Sequence, residues 1–424
     1  MIRSKHILTL ALCALILFCA ILPLASCAES SGADKVTELY VYNWGEYISD
    51  GSEGSLDSNE AFEEWYFETY GERIKVTYST YSSNEDMYAK LSAGAVNYDV
   101  IVPSDYMIER LIEEDMLAPL NYDNIPNVEY IAPEFNGHLN KDAEFDYYDR
   151  GNVYSVPYFY GMIGIIYNTE MVDDSVEEDG VDDTGSWNLM WNEKYAGNIL
   201  QFNNSRDAFG TAQYALGLDV NSADKSEWCI ALEELRRQKP ILQGYVMDEI
   251  FNKMQGGSAA IAAYYAGDFL TMYEENDSLE FYYPKEGTNL YVDAMCIPKT
   301  SNNKLAAERY INFMLSQEPA IANAEYTYYA SPNVLVREDP EYIDYMNSIK
   351  DNGYQLMYDT DGVTTQAYAN LPGDQLAMIN TLWEELKSDI DVSPTIYIIC
   401  AVIVASLAGF AIFLGLRKKF RNQY

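Results

Sequence analysis

The chain has 424 residues, 66 acidic against 27 basic, for a formal charge of −39, with two histidines and six cysteines. A surface so acidic repels nucleic acid and anionic lipid headgroups and attracts cations, which excludes a nucleic-acid partner. With His6 near the N-terminus and His138 alone in the body, multi-histidine metal centres are excluded and Ser-His-Asp or Cys-His catalysis would rest on one residue, read as a solvated loop histidine beside Asn136 and Gly137.

Residues 1–27 read as an export signal, in which Arg3 and Lys5 precede the apolar run 7–24 and small residues follow. Its closing Leu24-Ala25-Ser26-Cys27 resembles the lipobox of bacterial lipoproteins, which implies cleavage before Cys27 and a lipid on its thiol. An uncleaved anchor, or cleavage after Ala28 without lipid, is the alternative. At the other end, 396–416 has 21 residues without a charge, enough to cross a bilayer core of ~30 Å. Arg417, Lys418, Lys419 and Arg421 follow with no acid, so a membrane span over 395–416 is expected, with 417–424 as a cytoplasmic tail. Both ends place the body outside the cytoplasm and attach it to the membrane. That body, with 21 basic and 66 acidic residues, stands at −45. Much of this acidity is also explained as a solubility device.

The body exceeds one typical core, so two lobes are expected. Strand patterns at 39–44, 74–78 and 98–102 alternate with helical patterns at 61–70, 87–91 and 107–116, the rhythm of a parallel α/β sheet. A polar stretch, 142–152, separates this unit from a second. There, extended 154–160 and apolar 162–167 precede helical 208–216, 227–238 and 249–254, then extended 259–264. The acidic insert 173–185 reads as a solvated loop. Cys229 and Cys296 are expected to be two buried thiols, so neither a disulfide framework nor a zinc site is indicated. Gly256-Gly257-Ser258 lacks the lysine and helix of a phosphate loop, and no cofactor is expected.

Tyrosine occurs 38 times against six tryptophans, often beside carboxylates where a strand pattern ends. Aromatic faces attract a desolvated cation by roughly 0.5–2 kcal/mol, and a carboxylate adds a charge-assisted hydrogen bond, so the pair suits an organic cation. Any single tyrosine is equally explained by packing, and an aromatic floor also suits a sugar ring. Ligands of open α/β sheets bind outside the carboxyl ends of strands. Trp44 and Tyr47 follow the first strand and Ser104 and Tyr106 the third, where a helix start offers backbone N–H groups.

Tyr42-Asn43-Trp44-Gly45-Glu46-Tyr47, Tyr98-Asp99-Val100-Ile101-Val102-Pro103-Ser104, Tyr282-Tyr283-Pro284-Lys285-Glu286-Gly287 and Asp293-Ala294-Met295-Cys296-Ile297-Pro298 resemble the extracellular spermidine/putrescine-binding proteins of polyamine ABC transporters, in the same order from about residue 39 to 387. The resemblance implies a two-lobed periplasmic-binding-protein fold of type II, with 36–152 and 293–335 in one lobe, 153–292 and 336–391 in the other. It further implies a polyamine, putrescine or spermidine, closed into the cleft and passed to a permease with a cytoplasmic ATPase, with no catalysis and no metal. By matching motifs Trp44 and Tyr47 wall the site with Ser104 and Tyr106 beside them. Tyr264 and Tyr291 stand where the family places tryptophans, Tyr329 matches an aromatic, and Asp293 matches an amine-gripping acid. At Asn204 and Asp207 spermidine-binding members carry two acids, and here one is an amide, which tilts the expectation towards a different or shorter amine. A third acid is expected nearby, with Asp105 and Glu46 as candidates by adjacency, and Gln366 lies close to where the family has a glutamine. A binding protein for a sugar, amino acid or other organic cation, serving a transporter or sensor, is the second reading. A glycoside hydrolase with paired carboxylates is the third.

Overall fold

The computed structural model describes residues 36–173 and 184–388. The N-terminal segment with Cys27, most of the acidic insert, and the apolar segment 395–416 with its basic tail lie outside the described residues. Among the described residues no helix is long and apolar enough to cross a membrane.

The strand–helix rhythm expected of the first part is present as β1 (Thr37–Trp44), α1 (Ser58–Tyr70), β2 (Ile74–Tyr81), α2 (Asn84–Ala93), β3 (Val100–Ile101) and α3 (Asp105–Glu113). Short polar side chains start α1 and α2 by accepting from otherwise free backbone N–H groups: Asp57 from Asn59 and Glu60, Ser83 from Asp86. Gly71 and Gly94 stop them in the left-handed region, at φ 68° and 63°. α3 ends earlier than its apolar pattern, because Asp115 takes a left-handed φ of 56°.

The second part contains β4 (Ser155–Asn168), β5 (Ile199–Phe202), α4 (Ser205–Leu216), α5 (Lys225–Gln238), β6 (Leu242–Val246), α6 (Glu249–Gln255), β7 (Ile261–Tyr265), α7 (Ala266–Glu275), β8 (Leu279–Tyr282) and β9 (Thr288–Cys296). Helices and the short β10 (Thr365–Gln366) complete it to Ser388. The strands form one sheet in the order β2-β1-β3-β9-β4-β7-β5-β6, with β8 on β4 and β10 on β9.

The expected parallel pairing is found in the short contact of β10 with β9 and in the outer groups, β2-β1-β3 and β7-β5-β6. Between them β4 and β9 run antiparallel to each other, and to β7 and β3 respectively. Strand direction follows from where long connections return the chain, which local alternation does not encode. β4 is also one strand where two runs were expected: residues up to Met162 pair with β9, and those from Ile163 pair with β7 and β8. β4 and β9, buried almost throughout, therefore join the two parallel groups.

One further expectation is corrected. Cys229 is exposed, because α5 buries Trp228, Ala231, Leu232 and Leu235, and the residue after Trp228 turns about 100° away. The polar stretch 142–152 is partly packed into the fold. Asp146, Asp149 and Asn152 are buried, and Asp149 accepts from the Ser155 hydroxyl and the Tyr154 N–H. His138 is exposed and stacks on Tyr122, centroids 3.7 Å apart.

Gly161 of β4 pairs with Tyr291 of β9, whose hydroxyl would stand 2.6 Å from a Cβ added there. Gly161→Ala is expected to cost about 1–3 kcal/mol through overpacking. Denaturant unfolding measures this, and an unchanged midpoint would show that the ring has room to move.

Candidate functional site

The carboxyl ends of all six parallel strands turn towards one cleft: residues 44–47 after β1, 81–85 after β2, 104–106 after β3, Asn204 and Asp207 after β5, Met247 and Asp248 after β6, and 264–268 at the end of β7. β9 adds Asn289, Tyr291 and Asp293, and Tyr329 and Tyr368 complete the lining. The cleft encloses about 780 Å³ including its open mouth, the scale of a small-molecule site.

All ten residues singled out from the sequence line it: Trp44, Tyr47, Ser104, Tyr106, Asn204, Asp207, Tyr264, Tyr291, Asp293 and Tyr329. Asp293 lies within β9, is 4% exposed and accepts from the Tyr47 hydroxyl at 2.6 Å on Oδ2, while Oδ1 is buried without a hydrogen-bond partner. Tyr47 packs edge-on against Tyr329, centroids 4.7 Å apart. Trp44 tilts against Tyr81 and anchors its indole N–H on the Val102 carbonyl at 2.9 Å. Tyr264 is 2% exposed and stacks on Phe202. Its neighbour Tyr265, not singled out, presents its hydroxyl to Asp207 at 2.6 Å and sets its ring edge-on to Tyr291.

Two expectations about the lining change. The amide of Asn204 is engaged with Asp207: it caps α4 by accepting the Asp207 N–H at 2.8 Å and donates to the Asp207 carboxylate at 2.8 Å. The start of α3 is not free for a ligand, since Asp105 accepts the Tyr106 N–H at 2.7 Å and the Ser104 carbonyl accepts from Met107 and Ile108. Ser104 and Tyr106 are instead tied to Asn84, and Tyr106 donates to Glu85 at 3.1 Å. Gln366 is exposed, donates to Asp219 and does not line the cleft.

Seven carboxylates line the cleft, Glu46, Glu85, Asp105, Asp207, Asp248, Asp268 and Asp293, and no lysine, arginine or histidine lines it among the described residues. Both acids proposed by adjacency are present. Glu85, Asp248 and Asp268 were missed, although each follows the carboxyl end of a strand, the same signal that located Ser104. The buried acids share one local solution, a tyrosine hydroxyl donated to each: Tyr47 to Asp293, Tyr265 to Asp207, Tyr147 to Asp105 and Tyr329 to Asp268.

Burial pushes the carboxyl of Asp293 up to about 6, that of Asp105 up to about 7 and that of Asp268 up to about 8. Neighbouring charge adds to this, from Asp207 on Asp293 and from Asp248 and Glu46 on Asp268. Glu85 and Asp207 are likewise raised by burial and partly relieved by Arg206, which lies behind the lining, 3% exposed. Couplings thus group Glu85, Asp207 and Asp293 together and Glu46, Asp248 and Asp268 together. The Tyr291 hydroxyl, buried without a partner, feels Asp293, Asp268 and Asp207. A cleft walled by aromatic side chains and lined by seven carboxylates is suited to an organic cation.

Residues 60–351 match the sequence profile of the bacterial extracellular solute-binding proteins. The spermidine/putrescine-binding periplasmic protein of Salmonella typhimurium is 31% identical over 368 residues, covering 86% of this chain and 94% of that protein. The putrescine/cadaverine-binding protein of Pseudomonas aeruginosa is 27% identical over 378 residues, covering 86% and 96%. Among solved structures, the spermidine/putrescine ABC transporter substrate-binding protein of Streptococcus pneumoniae superposes with a TM-score of 0.62 at 32% identity, over 83% of this chain and 98% of that one. The mixed α/β architecture is accordingly that of the periplasmic binding proteins, and the chain belongs to the bacterial extracellular solute-binding protein family.

Proposed function

We propose that this protein captures a polyamine, putrescine or spermidine, in the cleft and delivers it to an ABC permease on the outer face of the cell membrane. The observation that carries the reading is the cleft lining, seven carboxylates against no lysine or arginine among the described residues, with aromatic walls. Relatives named for spermidine and putrescine support the same class of ligand. In this reading Asp293 and Asp207 hold ammonium groups, and Trp44, Tyr47, Tyr106, Tyr264, Tyr291 and Tyr329 enclose the methylene chain, with Ser104 and Asn204 positioning the acids. The lobes are 36–152 with 293–335 and 153–292 with 336–391. They close on the amine because only the closed form lets both contribute carboxylates. Capture and release need no bond chemistry. Lipid on Cys27 and a span over 395–416 would keep the protein beside its permease.

Asp293→Asn keeps the shape and removes the charge, so it is expected to weaken polyamine binding at least about tenfold. Calorimetric titration of the purified protein with putrescine, spermidine and spermine tests this, and unchanged affinity would refute the role of Asp293.

The raised carboxyls predict a pH dependence. Asp293, Asp105 and Asp268 bind protons more tightly in the free fold than at the ordinary value of 3.8. The free protein therefore loses stability as pH rises from about 4 through 6 to 8, where the native state holds more protons than the unfolded chain. A bound ammonium favours the ionised acids and expels those protons, so affinity rises over the same window. Thermal unfolding with and without spermidine between pH 5.5 and 8 reads both effects. An amine-induced rise in Tm that is constant across this range would contradict the linkage.

A further inference from the structure

Asn289, Tyr291 and Asp293 occupy alternate positions of β9, so their side chains share the face of the strand that lines the cleft, while Thr288, Leu290 and Val292 point the other way. Each of the three carries a buried polar atom without a hydrogen-bond partner among the described residues: the Asn289 amide oxygen, the Tyr291 hydroxyl and Asp293 Oδ1. Asn289 is 3% exposed. The polar residue beside it on the opposite face is paired within the fold, for the Thr288 hydroxyl donates to the Ile163 carbonyl.

Buried polar atoms are nearly always hydrogen-bonded, because an unpaired one has lost its water without replacement. Three exceptions in succession on one strand face, all lining one cleft, mark a path along which a ligand supplies the missing partners. Asp293 offers a charge to an ammonium group, and the Tyr291 hydroxyl can donate or accept. Asn289 differs from both. Its oxygen takes an N–H without adding an eighth carboxylate to the mutual repulsion of the seven that line the cleft. An asparagine kept only to hold the fold would spend that oxygen on a neighbouring backbone or side-chain donor, and here it does not.

We propose that Asn289 is a further ligand-contacting residue, whose amide oxygen accepts an N–H of the bound amine, so that the amine lies along β9 from Asp293 towards Asn289. This assignment rests on the polyamine reading given above.

The test is calorimetry on the full-length protein in detergent with putrescine and spermidine, for the wild type, Asn289→Leu and Asn289→Asp, with the Tm of each ligand-free protein. Asn289→Leu keeps the approximate size and removes the acceptor, and is expected to raise the polyamine Kd about tenfold. Its ligand-free Tm is expected to stay unchanged or rise, since a buried oxygen without a partner is removed. Asn289→Asp keeps the acceptor and is expected to bind at least as tightly as the wild type at pH 8. If the wild type binds an amine and Asn289→Leu binds it equally well, or Asn289→Asp loses as much affinity as Asn289→Leu, the contact is wrong and the polyamine reading stands. A ligand-free Tm lowered by Asn289→Leu assigns the residue to the fold and likewise overturns the contact. A wild type that binds neither amine overturns both.

Discussion

Buried carboxyls in a cleft whose lining, among the described residues, holds no basic side chain are the constraint on which this molecule is organised, with Arg206 behind the lining relieving only Glu85 and Asp207. Asp105, Asp207, Asp268 and Asp293 are each less than a tenth exposed, yet among the described residues no lysine or arginine joins them in the cleft lining. Removing a carboxylate from water costs several kcal/mol after relaxation. A lysine partner would repay that cost and, at the same time, occupy the place of a cationic ligand. Tyrosine hydroxyls offer a third course, a neutral donor that steadies an ion and leaves its charge available. One such donor serves each of the four acids. The high tyrosine content of the chain and its excess of acids are in this sense a single feature.

The sheet topology makes the arrangement possible. Parallel strands direct their carboxyl ends the same way, and two parallel groups, joined by β4 and β9, bring six such ends to one space. Because β9 pairs with one group, β4 with the other, and the two with each other, movement of one group relative to the other bends strands that are buried almost throughout. On the function proposed above, carboxylates contributed from both sides would repel in the empty cleft and be drawn together by a cation, so the electrostatic term that binds the ligand would also favour closure.

Much of the site was legible in the sequence, and for a definite reason. Strand ends can be read from local pattern, and the rule that ligands lie beyond carboxyl ends converts those positions into candidates. Trp44, Tyr47, Ser104 and Tyr106 were reached in this way, and the resemblance supplied Asp207, Asp293 and the remaining aromatics. Applied to every strand, the same rule reaches Glu85, Asp248 and Asp268, which lie beyond β2, β6 and β7. Tyr264 was taken from the resemblance; Tyr265, which also lines the cleft, was not singled out, since its contact with Asp207 joins residues far apart in the chain. The helix start at Tyr106 was misjudged for a different reason. Asp105 satisfies its own neighbour's N–H, a contact that depends on side-chain orientation.

By itself the sequence determined the charge balance and most of the secondary structure, and pointed to a cationic ligand. Net charge, the near absence of histidine and the pairing of tyrosine with acid follow from composition, and helix and strand periods act over a few residues. Only the tertiary structure decided which of 66 acids converge, which tyrosine serves which carboxylate, and that the two joining strands run antiparallel. Those outcomes depend on pairings between residues far apart in the chain, such as Tyr47 with Asp293 and Gly45 with Asp248, that no local pattern specifies.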